Sequence, residues 1–117
     1  MVESNRSMDS LTESLDSEEE LLHYVRATMV QNPLPREQRG SLAVTTKRVL
    51  FKEHSWHGGL TSLQWPWDWL RGVSSKKALK FEHIKVKSPG GTVKFLVDYG
   101  EADLFILKVK EALDGKA

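Results

Sequence analysis

The feature that most constrains this chain is the run Gly40-Ser41-Leu42-Ala43-Val44-Thr45-Thr46-Lys47-Arg48-Val49-Leu50-Phe51. Leu42 and Val44 alternate with Ser41, Ala43 and Thr45, the two-residue period of a half-buried strand. Val49 and Phe51 alternate with Arg48 and Lys52 in the same way, and the polar Thr45-Thr46-Lys47 between them is short enough for a hairpin turn. Further β-like segments follow, and then one closing helix. That order predicts a mainly β fold, a small barrel or sandwich of about seven strands capped by a C-terminal helix, an architecture that serves binding more often than chemistry.

Leu21 to Gln31 reads as the first strand, with Val25, Ala27 and Met29 on one face. Glu18-Glu19-Glu20-Leu21-Leu22 suits a helix start equally well, so this boundary is soft. Asn32-Pro33-Leu34-Pro35 ends the strand, because proline has no amide to donate and restricts its predecessor, and 32–39 is expected as a loop. After the hairpin over 41–53, His54 to Gly59 marks a second loop. Leu63 to Trp67 is a short aromatic strand in which Pro66 implies an edge or a bulge. Asp68 to Gly72 is a turn, Val73 to Ala78 and Leu79 to Lys87 are strands, and Ser88-Pro89-Gly90-Gly91 is a tight turn. Thr92 to Asp98 places Val93, Phe95 and Val97 on one face and Lys94, Leu96 and Asp98 on the other. From Glu101 the period becomes helical: Ala102, Phe105, Ile106, Val109 and Leu113 share a face, Glu101 and Asp103 sit in the first turn, and Gly115 is the expected stop. At the other end, 1–7 is expected to be disordered, and Met8, Leu11 and Leu15 fall at the spacing of a short amphipathic helix over 8–15. The chain is thus read as an acidic N-terminal extension over 1–17, a domain over 18–114 and a tail over 115–117.

No apolar run nears the roughly 20 residues that span a bilayer, and the N-terminus lacks the pattern of a signal peptide. With no cysteine, disulfides and thiolate chemistry are excluded. A cytoplasmic protein is expected, with the inner membrane face as a peripheral alternative. The net charge of +1 conceals an asymmetry. Residues 1–20 hold seven acidic residues against Arg6 alone, a net of −6, while the rest holds 16 basic and 9 acidic residues, a net of +7. The acidic head is either a solubilising tail or a screen over a basic binding face.

The hairpin run resembles the G-x-L-x-x-T-x-x-R-hydrophobic-x-F hallmark of GRAM and bacterial PH-like (YokE-like) domains, variants of the pleckstrin-homology superfold. Trp65-Pro66-Trp67-Asp68-Trp69-Leu70-Arg71-Gly72-Val73 is similar to a later isoleucine-proline-turn-valine segment of those families, with tryptophans replacing aliphatics. The resemblance covers about 18–113. It implies a non-enzymatic module that binds proteins, lipids or copies of itself. In lipid-binding PH domains the basic residues lie on the first strand, its loop and the second strand; here that region offers Arg26, Arg36, Arg39 and Lys47, with Glu37 among them, too sparse for specific phosphoinositide recognition.

The candidate ligand-binding residues are Lys76, Lys77, Lys80, Lys85 and Lys87, with His83 between them, and Trp56. The lysines suit either an anionic partner or a solvated sheet face whose charges block edge pairing. Trp65, Trp67 and Trp69 suit either an exposed aromatic anchor or a core cap, and Trp56, in a Gly-rich loop, is the better candidate for exposure. His54 and His57 are too few for zinc, which takes three or four protein ligands. Ser55 beside them is a chance neighbour, and no phosphate loop, nucleophile elbow or HExxH occurs. Neither an enzyme nor a cofactor is expected, nor nucleic-acid binding, since the charge is near neutral. The expected partner is a protein, with anionic lipid headgroups or a second copy, through Leu96 and the tryptophan segment, as alternatives.

Overall fold

Residues 15–31, 36–53, 62–78 and 80–116 are described in the structure, a computed structural model. The alternating segments form seven antiparallel strands: β1 (Leu21–Gln31), β2 (Arg36–Thr45), β3 (Arg48–Glu53), β4 (Ser62–Pro66), β5 (Gly72–Lys77), β6 (Phe81–Ser88) and β7 (Gly91–Asp98). One helix, α1 (Glu101–Lys116), follows. The sheet runs β4-β3-β2-β1-β7-β6-β5. It therefore consists of two meanders, β1–β4 and β5–β7, joined where β1 meets β7. β1 pairs with β2 from Leu21 to Gln31 but with β7 only through Ala27 to Val30. β4 and β5 end the sheet, and among the described residues they do not pair with each other, which leaves a seam between them.

The inner face carries the alternation expected of it. Val25, Ala27 and Met29 meet Leu42, Phe51, Ile84 and Phe95 in one buried cluster, and α1 closes it with Ala102, Phe105 and Val109. The Phe51 and Phe95 rings stand 4.9 Å apart, and Trp65 meets Phe95 edge-on at 6.0 Å. Burying Phe105 here contributes about 2–3 kcal/mol. Gly40 is required by close packing: a β-carbon at this position would stand 2.1 Å from the Lys52 carbonyl oxygen. On the other side of the sheet Ala43 and Leu50 are also buried, under Leu15, Leu21 and Tyr24.

Boundaries of β4, β5 and β7 differ from the sequence expectation by one residue, and three others differ for a physical reason. β2 begins at Arg36, inside the expected loop 32–39, because its backbone continues to pair with β1 through Met29↔Gln38 and Gln31↔Arg36; ladder bonds do not require apolar side chains. β6 begins at Phe81 rather than Leu79, since the Ala78 amide donates to the Phe81 carbonyl and closes a hairpin. α1 passes through Gly115, and Leu113 is exposed while Ala112 packs on the core. The expected helix over 8–15 and the disorder over 1–7 fall outside the described residues, apart from Leu15.

The start of α1 depends on a residue with no obvious signal in the sequence. Glu82, buried on β6, accepts hydrogen bonds from the Gly100 amide at 2.8 Å and the Ala102 amide at 3.1 Å. A carboxylate there answers the unpaired amides and the positive end of the helix dipole. Gly100 turns the chain with φ +90°, which a side chain would strain.

Candidate functional site

The hallmark hairpin is a structural device. Thr45 Oγ1 donates to Glu19 Oε2 and accepts from the Lys47 and Arg48 amides at 3.1 and 3.0 Å, which pins the turn. Arg48 grips Glu19 with two bonds, Nε to Oε2 and Nη2 to Oε1, each 2.9 Å. The Glu19 side chain is wholly buried. Burial raises its carboxyl pKa, but the bonds from Arg48, Thr45 and the Asp16 amide outweigh this and leave it below the ordinary value of 4.5. Lys47 adds a loose pair to Asp16 at 3.8 Å. The segment from Asp16 to Glu20, part of the acidic head, is therefore stitched to the β2–β3 turn. On the turn's far side the Trp67 indole N–H donates to the Thr46 carbonyl. Gly40, Leu42, Thr45, Arg48 and Phe51 are all accounted for by packing or turn geometry.

The lysines are sorted by strand register. On β5–β7 the outer face pairs Lys76 with His83, Ser74 with Lys85, and Gly72 with Lys87, and continues from Lys85 to Lys94 and from His83 to Leu96. Lys76, Lys85 and Lys87 thus share one face with Lys94, a residue not included among the sequence candidates. Lys77 falls on the opposite face, beside α1, and reaches Asp103 at 3.8 Å. Lys80 is exposed between β5 and β6. Among the described residues no carboxylate forms an ion pair with Lys76, Lys85, Lys87 or Lys94. His83 registers the resulting field: burial, then Lys94, Lys76 and Lys85, hold its imidazole below the ordinary 6.5.

The bacterial PH domain family matches residues 15–111 of this chain. The chain belongs to that family. Solved structures similar to this bacterial PH domain include the Vps36 N-terminal PH domain (TM-score 0.65, 16% identity, covering 87% of this chain and 84% of that one). Another is the C-terminal domain of an unknown protein from Leishmania infantum (TM-score 0.56, 21% identity, covering 89% and 90%). These likenesses show the fold. Among curated proteins the sequence has no match.

In this PH domain the tryptophans divide. Trp65 and Trp67 are buried, whereas Trp69 is 46% exposed, because the strand ends at Pro66 and the alternation stops there. The Trp69 ring lies against the β6–β7 turn, where a β-carbon on Gly90 would touch Cζ2 at 3.8 Å. Arg71, exposed, bonds through its amide to the Lys87 carbonyl, so Trp69 and Arg71 flank one end of the basic face. Trp56, His54 and His57 lie outside the described residues. Among the described residues no three His, Cys, Asp or Glu side chains cluster as metal ligands, and no helix is long and apolar enough to cross a membrane. Leu96 is half-buried on the outer face. Sequence reasoning missed Glu19, Glu82 and Lys94. Only Lys94 left a signal, through the clean alternation of its strand.

Proposed function

We propose that this bacterial PH domain is a non-catalytic binding module that docks an acidic protein surface on the outer face of β5–β7. One observation carries the reading. Lys85 and Lys94 stand directly opposite each other on adjacent strands. Like charges so placed are destabilising, and here Lys76 and Lys87 add to them. A face held at that cost is explained by an anionic partner that neutralises it. The test is titration of the labelled protein with polyglutamate, followed by amide and side-chain shifts. Binding is expected to move His83, Lys85 and Lys94 signals, to weaken as salt rises through physiological strength, and to be lost in the double variant Lys85→Glu/Lys94→Glu. Shifts elsewhere, or binding unchanged in that variant, would refute the reading.

Trp69 favours a second reading, attachment to anionic membrane. An exposed indole against the β6–β7 turn, on a sheet whose outer face carries lysines, suits the headgroup region, where aromatic rings settle and basic residues are attracted. Co-sedimentation with phosphatidylserine-containing and neutral vesicles separates the two. Salt-sensitive pelleting only with the anionic vesicles, lost in Trp69→Ala, would establish the membrane reading. Light scattering on the free protein serves as the control for self-association.

A further inference from the structure

The two edges of the sheet are unlike. β4 is blunted by Pro66 and anchored by buried Trp65. β5 has no proline, and Ser74, Ser75, Lys76 and Lys77 are all exposed. Register fixes which backbone groups β5 leaves open. The Ala78 amide donates to the Phe81 carbonyl, so in an antiparallel ladder the bonded positions of β5 are Gly72, Ser74 and Lys76, opposite Lys87, Lys85 and His83. The N–H and C=O groups of Val73, Ser75 and Lys77 are then directed at the open edge. Beside that edge lies a groove between β5 and α1, lined by Val73, Ser75, Ile106 and Leu107, with Asp103 and Lys110 at its rim. Leu107 is 50% exposed on the helix. Asp103 is already engaged by Ser75 Oγ at 3.4 Å and by Lys77.

We infer that this edge and groove take an extended segment of the partner protein, added to β5 as a further strand, with acidic and apolar residues in alternation. The inference rests on the acidic-partner reading above and adds the conformation and pattern of the partner. The charge pattern selects the occupant. Side chains of an added strand alternate between the two faces. Those sharing the face of Ser75 enter the groove over Val73, Ile106 and Leu107, which calls for apolar residues. Those sharing the face of Ser74 and Lys76 lie one strand, about 5 Å, from Lys76, well inside the screening length. That position calls for Asp or Glu. A strand of basic residues would meet Lys76, Lys77 and Lys110 at once.

The probe is a short fluorescent peptide alternating Glu and Val, compared with the same peptide N-methylated at the amides that would face β5. The N-methyl form keeps charge and side chains but loses the backbone bonds. Anisotropy is expected to show binding that weakens roughly tenfold or more on N-methylation, and hydrogen exchange is expected to slow at Val73, Ser75 and Lys77. Ser75→Pro, which removes an edge-facing donor, and Leu107→Asp, on the exposed side of α1, are each expected to lower affinity for the unmodified peptide while leaving polyglutamate binding intact. Equal binding of both peptides with shifts confined to Lys85, Lys87 and Lys94 would overturn the strand addition and leave the acidic-partner reading standing. Absence of peptide binding alongside retained polyglutamate binding would do the same. Failure of both probes would remove both readings. Slowed exchange at β5 that grows with protein concentration and without peptide would assign the edge to a second copy of the chain, and would also overturn the inference.

Discussion

At the scale of residues, the hallmark hairpin and the buried Glu19 are one device. Replacing Glu19 by Gln removes the buried carboxylate that Arg48 grips with two bonds, which is expected to cost about 3 kcal/mol and is measured by urea denaturation. The pH dependence has a definite sign. The folded pKa of Glu19 lies below 4.5, so its contribution is complete above the unfolded value and is lost as pH falls through the folded one. Wild-type stability should decline in that acid window, and Glu19→Gln should flatten part of the decline. His83 acts in the opposite sense on binding. Its folded pKa lies below 6.5, and an acidic partner beside it favours the charged form. Binding should therefore take up a proton and tighten as pH falls through the region just below 6.5, a dependence that His83→Gln should reduce in a calorimetric titration. Much at this scale could not be read from the chain. Thr45 and Arg48 stand out as a pattern, but Glu19 is one of three successive glutamates and its partner lies 29 positions away. Which of the three is buried is decided by the register of Leu21 against Thr45.

At the scale of elements, periodicity carried most of the information. β7 was legible to within one residue because Val93, Phe95 and Val97 alternate without interruption, and β1 in both its bounds, Leu21 and Gln31. The start of β2 was not, because its first residues are polar and do not alternate, and pairing with β1 extends the strand through them. The helix face was legible in its first two turns; in the last, Ala112 packs on the core and Leu113 is 37% exposed. Substitution of two helix residues tests this. Phe105→Ala is expected to cost about 3–5 kcal/mol, whereas Leu113→Ala, on the exposed side, is expected to stay within about 0.5 kcal/mol. Both are measured by thermal and urea unfolding. Glu82 adds a cross-element dependence: Glu82→Ala leaves the Gly100 and Ala102 amides unpaired in a buried site, and exchange at the first turn of α1 should accelerate more than exchange in β3.

At the scale of the whole molecule, the barrel and its helical cap were legible in the order of elements, and the binding face was not. Five lysines close in sequence looked like one stretch, but pairing sent Lys77 to the helix side and brought in Lys94 from the next strand. A surface is assembled by register, which one chain segment does not encode. The face is nonetheless a property of the whole charge distribution. Lys85→Glu/Lys94→Glu replaces a repulsive cross-strand pair by another of opposite sign, so thermal stability should change little while binding to polyglutamate is abolished.

The junction of the two meanders bears on how the protein is made. Each meander is local in sequence, but β1 gains its second neighbour only when Ala27 meets Val97, about 70 residues later. During synthesis the first four strands can assemble early, while one edge of β1 waits for β7 to leave the ribosome. That long-range closure is where loop entropy is greatest and where folding should be slowest. Until it occurs, the growing chain carries an unsatisfied strand edge on β1.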